Sequence, residues 1–244
     1  GLTYIARLER STGVRLKRFR YGEWAASQGV IYGEAVDETH WIPKTEIHIH
    51  YSWRRIWAID FGYSNPFVWQ EWAIDDDGTM YRVQELYFTH LLVEDAARMI
   101  LEATSQSPPP EAVICDHDAE DRATFEKHTG FTTTAAHKAV LAGINAVKTR
   151  LKVQGNGKPR LFFIENALIH EPDPNLIEKK LPTSTDDEVP LYVWDEKAKA
   201  GDKPTKANDH GLDTTRYAVC YIDDVGDVLA AGPDDVVSGA MSTW

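Results

Sequence analysis

The chain has 244 residues, 43% of them hydrophobic, with 26 Lys and Arg against 38 Asp and Glu for a formal net charge of −12. That composition suits a folded globular chain with room for one large domain or two small ones. It excludes a helical membrane protein, since no run approaches the roughly 18 apolar residues of a span and the start GLTYIARLERSTG lacks the apolar core of a secretory signal; a cytoplasmic protein is expected.

Residues 1–52 mix basic residues and turn formers without a clear period and read as a lead-in wrapped on the domain. The first residue is Gly rather than Met, so an excised domain with part of the natural protein missing is expected. The acid excess counts against a broadly basic nucleic-acid surface, although RLERSTGVRLKRFR at 7–20 and KTRLKVQGNGKPR at 148–160 are locally basic. The plainer reading of each is a solvated face or helix end. His40, His48 and His50 lie where an ordinary strand face or loop is expected.

RRIWAID, FVWQEWAI and TMYRVQELYF follow one another, separated by FGYSNP and DDDG, and predict an antiparallel three-stranded meander. VEDAARMILEATSQ has helical spacing and stops at SPPPE. AVICD reads as a short buried strand, followed by helices at AEDRATFEKH and AVLAGINAVKTRLKV, with strand-like FTTT between them and RLFFI after them. EPDPNLIEKKLP predicts a short helix, VPLYVWDE a further strand or hairpin arm, and ANDHGLDTTRYAVCYI a closing helix with Asn208 or Asp209 as N-cap. The stretch 224–244 reads as a partly flexible tail. Strands alternating with helices after a meander predict a mixed α/β sheet flanked by helices. Cys115 and Cys220 lack disulfide or zinc spacing and read as small core hydrophobes.

Three aspartates share one description: Asp60 ends the first strand, Asp116 ends another, and Asp213 lies in the first turn of the last helix. If the strands are adjacent and parallel, these tips meet at the sheet edge where open α/β sheets bind ligands. Gathered carboxylates repel one another unless a divalent cation sits among them, and Mg²⁺ or Mn²⁺ suits hard oxygen ligands. Two such ions about 4 Å apart serve phosphodiester cleavage. Taken singly, Asp60 and Asp116 read as turn residues and Asp213 as a favourable acid near a helix N-terminus.

The segments RRIWAIDFGYSNPFVWQEWAIDDDG, VICDHDAEDRATFEKHTG and YVWDEKAKAGDKPTKANDHGLDTTRYAV resemble the nuclease domain of the large terminase subunit of tailed bacteriophages, and TGVRLKRFRYGEWAASQGVIY resembles the segment joining it to an ATPase domain. The resemblance covers most of residues 10–222 and is most specific at DHGLDTTRY, where Thr214 stands in place of a common Ala. It implies a ribonuclease H-like α/β fold, with a mixed β-sheet flanked by helices on both faces. Residues 1–52 become a linker from a missing ATPase domain, 53–223 the nuclease domain and 224–244 the tail.

The implied activity is metal-dependent endonucleolytic cutting of concatemeric viral DNA by two Mg²⁺ or Mn²⁺ ions held by Asp60, Asp116 and Asp213. Asp118, Asp209 and His210 are candidates for support beside the ions; their plainer readings are a turn residue, an N-cap and a solvated histidine. Lys203 and Lys206 are candidate phosphate contacts on what is otherwise an ordinary loop. The region 183–199 resembles a mobile hairpin beside the cleft.

The implied partners are double-stranded viral DNA, the ATPase domain of the same natural chain, the small terminase subunit and the portal, in the host cytoplasm and with no membrane. No phosphate-binding Gly-x-x-x-x-Gly-Lys-Ser/Thr loop occurs, so ATP hydrolysis by this chain alone is not expected. Other ribonuclease H-like nucleases, of resolvase or transposase type, and a non-catalytic docking module remain alternatives.

Overall fold

The computed structural model describes residues 29–35, 37–137, 139–195 and 203–225. A short α1 (Asp37–His40) leads into β1 (Trp41–Ile42), followed by the meander β2 (Arg54–Asp60), β3 (Phe67–Ile74) and β4 (Met80–Phe88). Both hairpin pairings are antiparallel along their whole length, as the turn chemistry of the two intervening segments favours. The chain continues through α2 (Val93–Ala103), β5 (Ala112–Cys115), α3 (Ala119–Thr129), β6 (Thr133–Ala135), α4 (Val140–Leu151) and β7 (Leu161–Ile164). It closes with α5 (Pro174–Lys179), α6 (Thr185–Glu188) and α7 (His210–Ile222).

The described strands form one sheet in the order β1-β7-β4-β3-β2-β5-β6. β5 lies parallel beside β2, and β6 parallel beside β5, so the sheet is mixed as expected. Strand alternation divides the core into two layers. Ile56, Ala58, Trp72 and Ile114 pack with Ile144 and Val147 of α4 and with Leu212, Ala218 and Val219 of α7. Trp57, Ile59, Trp69, Val113 and Cys115 pack on the opposite face with Ala96, Ala97 and Ile100 of α2 and Phe125 of α3. Each of the buried Ile, Leu, Val and Phe side chains among these stabilises the fold by about 1.5–3 kcal/mol before entropy is counted, and each alanine by less.

The residues just before the meander join this body. β1 extends the sheet by pairing parallel with β7, where Trp41 stacks on Phe163 with ring centroids 5.0 Å apart. His40 is buried, its Nε2 lying 2.6 Å from the Leu151 carbonyl. The basic stretch at 148–160 is used structurally. Arg150 is buried and grips Asp223 through Nη2 and Nε at 2.6 and 2.9 Å, tying the end of α4 to the end of α7. The basic stretch at 7–20 and residues 226–244 lie outside the described residues.

Two expectations need correction. VPLYVWDE is not a continuous strand: Val189–Leu191 is a 3-10 turn, since Pro190 lacks the N–H a ladder needs, while 193–195 pairs antiparallel with 203–205 as a hairpin arm does, Asp195 N–H donating to the Lys203 carbonyl and Thr205 N–H to the Val193 carbonyl at 2.9 Å each. The start of the expected hairpin at 183–199 is instead α6, capped by Ser184, with Thr185 and Glu188 fully buried. Residues 196–199 of that region are outside the described residues.

Candidate active site

Alternation along two parallel strands decides where the first two carboxylates go. Ile56 and Ala58 of β2 point to the layer under α7, so Asp60, two residues further on, falls on the same face. Asp116 follows the same rule, two residues past Ile114. The register sets Ile59 opposite Cys115, so Asp60 and Asp116 leave the sheet side by side, with the Asp116 N–H donating to the Ile59 carbonyl at 3.3 Å.

α7 packs across β2, β3 and β5 and brings two further groups over these tips. His210 and Asp213, three apart, share one side of its first turn. His210 Nδ1 lies 2.8 Å from Asp60 Oδ2. Oδ1 of Asp213 accepts from Nη2 and Nε of Arg216 at 2.9 and 3.3 Å, and that guanidinium is almost wholly buried.

Burial raises the pKa of Asp60, while the His210 bond draws it down and the Asp213 charge adds to the rise. Asp116 is pushed up to about 6, first by burial and then by the charge of Asp60. Burial also raises Asp209, aided by Asp213. The Tyr217 phenol is held un-ionised by burial and, next, by the charges of Asp60 and Asp213, with Asp116 adding to them. For His210, burial lowers the pKa, but the hydrogen bond and charge of Asp60 outweigh it and the net shift is upward.

Among the described residues, no group of three or more His, Cys, Asp or Glu side chains stands ready-made as a metal cage. Asp60 is engaged by His210 and Asp213 by Arg216, whereas Asp116 Oδ1 is buried and accepts no hydrogen bond. That orphaned oxygen, in an all-carboxylate donor set, fits a hard divalent cation. The His210 contact uses only Oδ2 of Asp60 and the Arg216 contact only Oδ1 of Asp213, so each of these carboxylates keeps a second oxygen outside those contacts.

The remaining expected residues separate. Asp118 is exposed and caps α3, its Oδ1 accepting from Glu120 N and Asp121 N at 3.0 Å each. Asp209 occupies the N-cap position of α7, yet its side chain makes no capping bond. Lys203 and Lys206 are exposed on the loop that runs into α7. Sequence reasoning gives Arg216 no role, although its place three residues after Asp213 is the signal that could have found it. Nothing local marks Glu188 or Gln70, which hold α7 from beneath. A cavity of about 160 Å³ lined by His117, Ala136, His137, Val140, Arg216 and Tyr217 lies next to the acids; Asp60, Asp116 and Asp213 do not line it.

No protein-family model and no curated sequence matches the chain. Solved structures do. The large terminase of a thermophilic bacteriophage, in complex with ADP, is 25% identical with a TM-score of 0.62, covering 89% of this chain and 50% of that one. The same terminase in complex with ATP-gamma-S gives 25% and 0.62, covering 88% and 52%. The P22 large terminase nuclease domain is 20% identical with a TM-score of 0.57, covering 81% of this chain and 93% of that domain. The chain thus spans about half the length of the thermophilic-phage terminase and nearly all of the P22 domain. A meander followed by two parallel strands, helices on both faces and these similarities identify the fold as the ribonuclease H-like fold of large-terminase nuclease domains.

Proposed function

We propose that this chain is the endonuclease part of a phage DNA-packaging terminase, cutting concatemeric double-stranded DNA in the host cytoplasm with Mg²⁺ or Mn²⁺. The observation that supports it most is the adjacency of Asp60 and Asp116 on parallel strands beneath Asp213 and His210, with one buried Asp116 oxygen unpartnered. Asp60, Asp116 and Asp213 would hold the cations. When bound, such a pair supplies an activated water and stabilises the departing oxygen of the phosphodiester.

The chain's own side chains do the rest. His210, bonded to Asp60, orients that carboxylate and can hold a proton at the cleft edge. Arg216 orients Asp213 through a two-nitrogen contact. Lys203 and Lys206 meet phosphates beside the scissile bond, positioning the duplex without reading its sequence. With 38 acids against 26 bases, the domain holds DNA weakly and salt-sensitively by itself. An ATPase domain of the same natural chain, the small terminase subunit and the portal are the proposed sources of further grip.

The test is nicking or linearisation of supercoiled plasmid with Mn²⁺ or Mg²⁺, stopped by EDTA and abolished in Asp60→Ala. Undiminished cutting by that variant would overturn the site. A second reading, a non-catalytic docking module, draws on the fact that Asp60 and Asp213 already have protein partners. An intact fold that takes up no Mn²⁺ in calorimetry would favour it.

A further inference from the structure

The first turn of α7 carries no cap of its own. Asp209 stands at the N-cap without bonding the turn, so the free N–H groups of the helix start must be met from elsewhere. Leu212 N–H donates to Oε2 of Glu188 at 3.0 Å, across 24 positions of chain. The other oxygen, Oε1, accepts from the Tyr87 phenol on β4 at 2.7 Å. Glu188 is fully buried, and it reaches this place because Ser184 starts α6 directly beneath α7.

A second clamp holds the same turn. Gln70 Nε2 donates to the Gly211 carbonyl at 3.0 Å and to Thr185 Oγ1 at 2.8 Å. Its Oε1 accepts from Thr215 at 3.1 Å and from the Trp72 indole at 3.2 Å. Gly211 is what permits this approach, since a Cβ there would overlap Thr185 Oγ1 and stand 3.0 Å from Glu188 Oε2. Every contact to residues 211 and 212 in this set is made to backbone, on the two positions between His210 and Asp213.

A buried acidic side chain is a costly way to cap a helix when an aspartate already stands at the N-cap, since an apolar contact would pack the same space with no polar group to desolvate. What the buried acid adds is direction: it holds the helix start by its main chain and takes no part of the side chains at 209, 210 and 213 for capping. We propose that Glu188 is a positioning residue, which by capping α7 from beneath sets the rotation of its first turn so that His210 and Asp213 face Asp60. The proposal rests on the nuclease reading for its purpose, and its geometry stands apart from it.

The experiment uses the whole chain and compares wild type, Glu188→Gln, Glu188→Leu and Tyr87→Phe. Gln keeps an acceptor for the Leu212 N–H, whereas Leu fills the space without one. Two readouts are taken: Mn²⁺ affinity by calorimetry, and the Asp60-bonded ring N–H of His210 by proton–nitrogen NMR in metal-free protein. Glu188→Leu is expected to weaken Mn²⁺ about tenfold and to lose or shift the His210 signal, as removal of supporting partners does at metal sites. Glu188→Gln is expected to retain both. A folded Glu188→Leu with unchanged affinity and unchanged His210 signal overturns the proposal.

Should Glu188→Leu fail to fold, Tyr87→Phe decides. It releases one carboxylate oxygen and is expected to shift the His210 signal, and an unchanged signal refutes the positioning role. If wild type cuts no DNA with any divalent ion, the nuclease reading falls, while the metal-free His210 signal still reports on positioning.

Discussion

Nδ1 of His210 lies 2.8 Å from Oδ2 of Asp60, joining the first turn of the last helix to the tip of the first meander strand across 150 positions. The contact exists because strand parity turns Asp60 toward α7 and because helix spacing turns His210 and Asp213 toward the sheet. Asp60 is thereby held in one orientation at the cleft. His210→Ala is expected to lower plasmid nicking by about 10- to 100-fold, with Asp60 free to rotate. Cutting assayed with Mn²⁺ in excess, beside melting of the same variant, separates lost orientation from lost fold.

Asp116→Asn should dissociate stability from activity. The carboxylate is pushed up to about 6 by burial and by Asp60, and one oxygen has no partner. An acid raised in the folded state contributes stability that falls as pH climbs from its ordinary range to that value. At pH 7.5 in EDTA the neutral amide is therefore expected to stabilise the protein, by about 1 kcal/mol after allowance for partial solvent screening. Nicking is expected to disappear. Urea unfolding and the plasmid assay on one preparation check both halves.

Much of this architecture was legible in the residues themselves. The meander at 54–88 declares itself through dense apolar runs broken by FGYSNP and DDDG, and β5 through a short apolar run ending in an acid. The region 183–194 did not, because Thr185 and Glu188 sit in a polar string, TDDE, that reads as solvated surface. Their burial follows from Gly211 and Gln70, residues far away in sequence that no local pattern connects to them. Asp118 and Asp209 illustrate the same limit: Asp118, which reads as a turn residue, caps α3, whereas Asp209, which reads as the N-cap, makes no capping bond because Glu188 meets the start of α7 instead.

Glu188 gives the metal-free protein a definite pH response. Burial pushes its pKa from an ordinary 4.5 up to about 8, against the pull of the Tyr87 bond, the Gly211 and Leu212 N–H groups and the charge of His210. The contribution of Glu188 to stability is expected to be complete below pH 4.5 and to decline as pH rises toward 8, with a slope approaching about 1.4 kcal/mol per unit. Between pH 5.5 and 7.5 in EDTA, unfolding free energy should fall by about 2 kcal/mol in wild type and by less than half of that in Glu188→Gln. Equal falls in the two proteins would remove Glu188 as the cause.

Gly143 of α4 tests how tightly α4 and α7 are packed. A Cβ there would stand 2.6 Å from Arg216 Cγ and 2.8 Å from both Arg216 Cδ and Cys220 Sγ. Gly143→Ala is expected to destabilise the fold by about 1–3 kcal/mol, as overpacking does, and to weaken the Arg216 grip on Asp213. Urea titration reads the first effect and a raised Mn²⁺ requirement the second.

The two loop lysines answer to salt. Replacing both Lys203 and Lys206 with Ala is expected to weaken association with any duplex sequence equally and to flatten the salt dependence of log K by about 0.9 per lost phosphate contact. Fluorescence anisotropy with an unrelated 30-mer duplex, in calcium to block cutting, measures the slope. A change confined to one sequence would point to base recognition instead.

Because α7 is gripped by its main chain at Gly211 and Leu212, architecture and chemistry are mechanically decoupled there. Positions 209, 210 and 213 can be rewritten while the helix stays docked, which makes inert look-alikes straightforward to obtain. Such silent copies would leave a duplex uncut, so that even a weak encounter could be imaged at low salt without consuming its DNA.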